Sequence, residues 1–208
     1  MVQYGFYYDN TRCTGCKTCV MACKDYKNSA LHVAYRKVYD IEGGTWKDLG
    51  DGSYITDCFL YHLSLSCNHC DNPACVKACP TNAMYKDSET GLVLIDSNAC
   101  VGCGHCVMAC PYHAPTVDDD LGYSVKCDGC KDRVVQGKQP ICVGSCPLRA
   151  LDFGHIDELE KTYVGRTNQI YPMPDSSLTY PNIVIKPSPA AVSPAAETGR
   201  IANPKEVE

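Results

Sequence analysis

Phenylalanine and tryptophan are scarce in this 208-residue chain, which has three Phe and a single Trp. A thick apolar core is therefore excluded, and chains with thin cores are usually held by disulfides or metals. No apolar run reaches the length that a membrane span needs. Met1-Val2-Gln3-Tyr4-Gly5 offers neither a basic n-region nor an apolar h-region, so the sequence predicts no signal peptide of its own. Without an export signal, a disulfide framework is the weaker reading of its cysteines. A basic excess is also lacking. The formal net charge is −5, which gives no support for nucleic-acid binding. Gly-rich dinucleotide loops, a P-loop and H-E-x-x-H are all missing, and no Ser/His/Asp arrangement stands out.

What the chain has in excess is cysteine, seventeen in all. Sixteen fall into four groups: Cys13, Cys16, Cys19, Cys23; Cys67, Cys70, Cys75, Cys79; Cys100, Cys103, Cys106, Cys110; and Cys127, Cys130, Cys142, Cys146. The third reads C-x2-C-x2-C-x3-C-P, the bacterial ferredoxin run, in which three close thiolates hold one iron–sulfur cluster and the fourth reaches a second. The second group widens its middle gap to four residues, and the fourth carries a long insertion there. Every group ends in C-x3-C, and Pro80, Pro111 and Pro147 follow three of them. Proline lacks an N–H and fixes φ, so the chain leaves the last cysteine in a restricted direction.

Between the groups the pattern is mostly β-prone. Residues 3–9 read as a strand closed by Asp9-Asn10, and Thr18 to Tyr26 as a short helix. Residues 33–66 read as a β insertion, a hairpin or small sheet, with turns at Gly43-Gly44 and Gly50-Asp51-Gly52. Ala83–Lys86 and Gly91–Asp96 pattern as a hairpin between the second and third groups. That makes residues 67–115 a two-cluster ferredoxin-like unit. Groups one and four must then pair around it, so that residues 1–32 and 116–156 form an outer unit in which the inner one is nested. Leu148 to Phe153 is a predicted strand, and Asp157 to Thr162 one or two helical turns. The fold class expected is α+β. Residues 157–208 form a Pro-rich arm, in which seven prolines from Pro172 to Pro204 exclude regular helix. Disorder and an extended arm laid over a partner are both open for it, with Asn182-Ile183-Val184-Ile185 as a docking segment.

If each fourth cysteine crosses over within its pair, four ligand sets follow. They are Cys13, Cys16, Cys19 and Cys146; Cys23, Cys127, Cys130 and Cys142; Cys67, Cys70, Cys75 and Cys110; and Cys79, Cys100, Cys103 and Cys106. Zinc is the alternative, but its sites use two C-x2-C pairs and often include His, and three cysteines at every third position crowd one ion. Adjacent C-x2-C disulfides would be strained. A radical-SAM triad, C-x3-C-x2-C, finds Tyr26 or His113 in its last slot. Cys58 is left over and reads as a small buried apolar residue. His69, His105 and His113 lie beside ligands, as do Lys17, Lys24, Lys77 and Lys126, whose charge would raise the potential of an anionic cubane. Four-thiolate clusters leave no open coordination site, so such a chain passes single electrons and activates no substrate.

These spacings resemble the iron–sulfur subunit of the molybdopterin oxidoreductases of the dimethyl sulfoxide reductase family. Arg12 to Cys19, Ser66 to Cys70, Lys126 to Cys130, Cys146 to Gly154, Pro181 to Pro187 and Ala202 to Val207 are all similar to B subunits of anaerobic dimethyl sulfoxide reductases. The resemblance implies a molybdopterin (Mo or W) catalytic subunit as partner and, where one exists, a quinol-oxidising membrane anchor. It implies four 4Fe–4S clusters, since Cys103 stands where some relatives have Trp and a 3Fe–4S cluster. It also implies that the polypeptide stays in the cytoplasm or is co-exported with a partner bearing a twin-arginine signal. Two rival functions remain: a free polyferredoxin carrier and a zinc-stabilised interaction module.

Overall fold

A computed structural model describes residues 2–207. Strand β1 (Tyr4–Asp9) is central to a three-stranded sheet because both of its faces are apolar. Phe6 and Tyr8 face the main core, while Tyr7 turns the other way and stacks on Tyr163 at 3.4 Å between ring centroids. Gly5 lets a neighbouring strand come close, since a Cβ there would meet Asn182 O at 2.5 Å. After the first cysteine loop, helix α1 (Thr18–Lys27) ends at Asn28 in the left-handed conformation, a common helix stop.

The predicted insertion is a long hairpin of β2 (Arg36–Gly43) against β5 (Phe59–Ser66), with a small ladder, β3 (Trp46–Asp48) and β4 (Tyr54–Thr56), at its far end. Cys58 sits where this end joins β5 and is exposed, which corrects the expected buried role. The outer ladder has no core beneath it: Trp46, Tyr54 and Ile55 are exposed as well.

Helix α2 (Ala74–Lys77) follows. The predicted hairpin is β6 (Met84–Lys86) with β7 (Val93–Ile95), then comes α3 (His105–Ala109). A further hairpin, β8 (Thr116–Asp118) with β9 (Tyr123–Val125), was not among the expected elements, because β8 runs straight into Asp118-Asp119-Asp120, which breaks the β-prone pattern. Its turn signal is nevertheless present in Gly122, which has φ +73° and donates to Asp118 O. Helices α4 (Lys131–Val134) and α5 (Ile141–Gly144) carry the last cysteine group. Strand β10 (Leu151–His155) starts three residues later than expected, after Arg149 in a left-handed turn, and pairs antiparallel with β1. Helix α6 (Ile156–Thr162) covers the Tyr7 side of the sheet. Helices α1 and α5 pack together, as do α2 and α3.

The Pro-rich arm lies on its own chain. Strand β11 (Ile183–Lys186) joins β1 in parallel, β12 (Arg200–Ile201) extends the hairpin edge at β2, and α7 (Pro204–Val207) packs against β2. The short α7 does run through a proline, but Pro204 stands at its start, where the missing N–H costs nothing. Asn182 fixes the arm by donating to His69 O (2.8 Å) and Asp71 Oδ1 (3.0 Å). Asn203 bridges to β2 through Asp40 N and Val38 O.

Asp9 closes β1. Its carboxylate accepts from Thr11 N (2.9 Å) and lies 3.4 Å from Lys186 Nζ of β11 and 3.5 Å from Arg12 Nε. Burial raises its pKa, but Thr11 and Lys186 outweigh this and hold it below the ordinary carboxylate value. A depressed carboxylate stabilises the fold above its unfolded pKa, and that stabilisation is lost as pH falls through the folded value. Asp9→Asn is expected to cost about 1–3 kcal/mol in denaturant titration at neutral pH. The gap from the parent should narrow below about pH 4.

Candidate metal centres

Each cysteine group is built the same way locally. The residue before the second cysteine is left-handed in all four: Gly15 (+67°), His69 (+46°), Gly102 (+65°) and Gly129 (+68°). This bend lets successive cysteines of a tight loop turn toward one centre. Glycine adopts it freely. His69 adopts it while fully buried, with Nδ1 accepting from Val93 N at 3.0 Å. The third cysteine of each group then lies on a short helix: Cys19 on α1, Cys75 on α2, Cys106 on α3 and Cys142 on α5. The fourth lies four residues on, within α1 for Cys23 and just past the ends of α2, α3 and α5 for Cys79, Cys110 and Cys146.

The grouping in space differs from the grouping in sequence. One cavity is lined by Cys13, Cys16, Cys19 and Cys146. A second is lined by Cys67, Cys70, Cys75 and Cys110, and a third by Cys79, Cys100, Cys103 and Cys106. With their mouths included, they hold about 350, 350 and 300 Å³ of atom-free space, so they would suit objects of one size. Cys23, Cys127, Cys130 and Cys142 are all buried, and each thiol lies in the electrostatic field of others of the four.

Among the described residues, no three or more His, Cys, Asp or Glu converge closely enough to hold a single metal ion. The thiols ring open spaces, as a cubane needs and a zinc ion at about 2.3 Å from each sulfur does not. The donors fit in their chemistry too. Burial pushes Cys23, Cys70 and Cys75 up to about 12, with neighbouring thiols adding to it, and holds Cys127 well above the ordinary thiol value. Buried, crowded thiols would keep their protons on their own. Iron supplies the positive charge that lets them ionise, so loading releases protons. At the surface the balance reverses. The Thr18 hydroxyl lowers Cys16, and backbone N–H groups of Met84 and Thr81 outweigh burial at Cys79.

Hydrogen bonds to sulfur are already in place. Ser124 N lies 3.4 Å from Cys100 Sγ, Gly129 N 3.4 Å from Cys127 Sγ and Ala150 N 3.3 Å from Cys146 Sγ. The Ser64 and Ser124 hydroxyls lie 3.5 and 3.3 Å from Cys19 and Cys106. Such contacts orient thiolate ligands and raise cluster potential. His105 Nδ1 is 3.6 Å from Cys103 Sγ on the surface, and His113 is exposed. Of the four lysines beside cysteines, Lys17 pairs with Glu206 and Asp40, Lys24 donates to backbone carbonyls, Lys77 is exposed, and Lys126 is buried. The sequence reading passed over Arg36. It lies far from any cysteine along the chain, and its β-prone surroundings gave no sign of burial.

Models of known families match this chain twice: a 4Fe–4S dicluster domain over residues 58–156 and a 4Fe–4S binding domain over residues 10–28. The chain is thus a ferredoxin-like protein of 4Fe–4S clusters, of mixed helix and strand. It is 53% identical over 205 residues to the B subunit of anaerobic dimethyl sulfoxide reductase from Escherichia coli, covering 99% of this chain and 98% of the relative. It is 50% identical over 207 residues to the same-named subunit of Haemophilus influenzae, covering all of both. It is 40% identical over 157 residues to the B subunit of polysulfide reductase from Wolinella succinogenes, covering 75% of this chain and 78% of the relative. It belongs to the family of anaerobic dimethyl sulfoxide reductase B subunits, the iron–sulfur electron-transfer subunits of reductase complexes.

Cys110→Ser and Cys103→Ser are expected to perturb two different clusters, seen as loss or change of two distinct EPR signals. Loss of one and the same signal in both variants would put Cys110 beside Cys106 on a single cluster.

Proposed function

We propose that the chain relays single electrons through four 4Fe–4S clusters, held by the four foursomes of cysteines given above, to a molybdopterin catalytic subunit. The observation that carries this reading is the contrast between the ends and the middle of the cysteine row. Helix α1 carries both Cys19 and Cys23, Lys126 lines the cavity of Cys67 while standing next to Cys127 in sequence, and Cys75 packs in one apolar cluster with Cys106. This order puts the sets of Cys13 and Cys103 at the ends. Cys16 and Cys103 are exposed, whereas all eight cysteines of the two interior sets are buried. Each cluster, when bound, takes up and gives up one electron without making or breaking a bond in a substrate. The protein's own part is to hold the sulfurs, exclude water from the interior and leave one face open at each end.

The same order supports two nested ferredoxin-like units. Residues 1–32 and 116–156 would form the outer one, 67–115 the inner one, 33–66 the β insertion and 157–208 the arm. The pairings of β1 with β10 and β6 with β7, and of α1 with α5 and α2 with α3, agree with it. The B-subunit names of the relatives favour a catalytic partner, with a membrane anchor as donor. No helix among the described residues is long and apolar enough to cross a membrane. A free carrier has no need of a long arm, so an arm reaching over a partner would have argued against one. The arm lies on this protein's own body, so that argument falls away and the assembly must be tested directly.

In anaerobic gel filtration of the native protein, we expect a brown species well above 22.7 kDa that contains a molybdenum or tungsten subunit. A brown species at the size of the lone polypeptide would favour the free carrier, and a colourless one the zinc module. Cys103→Ser is expected to interrupt turnover with the physiological donor while leaving the fold mostly intact.

A further inference from the structure

Two cations are buried in the interior of the cysteine row, and neither has an acidic partner. Arg36 is 2% exposed at the start of β2. Its Nη1 donates to Ser64 O (3.3 Å) and Ser64 Oγ (3.2 Å), and its Nη2 to Ser66 Oγ (2.9 Å). Its guanidinium lies 4.7 Å over the Phe6 ring, and its Nε has no hydrogen-bond partner. Among the described residues, no carboxylate comes within ion-pair distance of it. Its partner Ser64 Oγ also lies 3.5 Å from Cys19 Sγ, and the thiols of Cys142, Cys19, Cys127 and Cys23 are the neighbours that most favour its charged form. The first, third and fourth belong to one interior foursome and Cys19 to the end set beside it. Arg36 therefore stands at the junction of those two sets.

Lys126 holds the corresponding place at the next junction. It is 5% exposed, and its ammonium donates to Val93 O and, at 2.9 Å, to Cys127 O. It lines the cavity of Cys67, Cys70, Cys75 and Cys110, and its neighbour in sequence is Cys127 of the other interior set. It too has no carboxylate partner among the described residues. Between the two cations lie Phe6 and His69, stacked at 6.5 Å. Burial and the nearby Lys126 and Lys86 keep His69 neutral, so it adds no third charge.

A buried cation without a counter-ion is strongly unfavourable, because desolvation is uncompensated. A four-thiolate cubane is anionic, and more so when reduced. We propose that Arg36 and Lys126 are the counter-charges of the buried clusters: each compensates the two clusters that flank it and favours their reduced state. This rests on the ligand sets proposed above. In the redox step, the flanking cluster gains one electron, the donor loses it, and no proton moves on either cation. Both act as positioning residues, through the clusters and not on a substrate.

The test is a potentiometric titration of the holo-complex followed by EPR, with iron analysis of each variant. Arg36→Gln keeps a hydrogen-bonding side chain near Ser64 and removes the charge. It should disfavour reduction at least tenfold, about 59 mV for one electron, at the clusters of the Cys13 and Cys23 sets. The cluster of Cys79, Cys100, Cys103 and Cys106 should stay within twofold. Lys126→Met should shift the Cys23 and Cys67 sets instead, and Arg36→Lys should restore most of the parent's values. If the neutral variants lose only the flanking clusters and Arg36→Lys retains them, the counter-charge role stands. Full iron content with unchanged potentials in Arg36→Gln and Lys126→Met, an equal shift of all four clusters, or loss of clusters in Arg36→Lys as well would overturn it. Absence of iron from the parent protein would sink the proposed function itself, a separate failure.

Discussion

Sulfur atoms that surround a space, and do not touch each other, impose the central constraint on this protein. Each foursome takes three cysteines from one stretch and the fourth from another, so distant parts of the chain meet around cavities that no side chain fills. A protein interior normally closes such voids, since each empty volume forfeits dispersion contacts. Here apolar strands are wrapped around them, with Phe6, Tyr8, Leu92 and Ile185 almost wholly buried in between. Three Phe and one Trp suffice because the inorganic cores take the place of much of the missing apolar volume.

The second constraint is charge. Thiols this buried resist ionisation, and clusters with four thiolates bring negative charge into a medium of low dielectric. The fold meets this with N–H groups on sulfur, serine hydroxyls beside Cys19 and Cys106, and the two cations that lack carboxylate partners. At the two ends, solvent takes over part of this task, and Cys16 has its thiol pKa lowered by Thr18. All eight interior cysteines are buried, whereas Cys16 and Cys103 at the ends are exposed.

Much of this was legible in the residues. The cysteine spacing, the β1 strand, the helix after the first group and the hairpin between groups two and three all follow from local rules: ligand periodicity, aromatic β-propensity and turn chemistry. The misses have physical causes. The β8–β9 ladder was missed because β8 runs into Asp118-Asp119-Asp120, whose charges break the apolar pattern of a strand. Cys58 was expected to be buried because its neighbours are β-prone, yet the end of that hairpin has nothing beneath it. Thr179, Asn182 and Asn203 tie the Pro-rich arm down through long-range hydrogen bonds, which composition cannot reveal.

What the sequence alone determined is the chemistry: sixteen cysteines in runs that suit cubanes, with no group able to work on a substrate. Ligand identity is local and can be read from spacing. What only the tertiary structure decided is which residues share a place. It laid the arm on its own body and buried Arg36 of an ordinary strand against Phe6, Ser64 and Ser66. Burial and charge compensation are set by contacts between stretches far apart in the sequence, and no local pattern carries them.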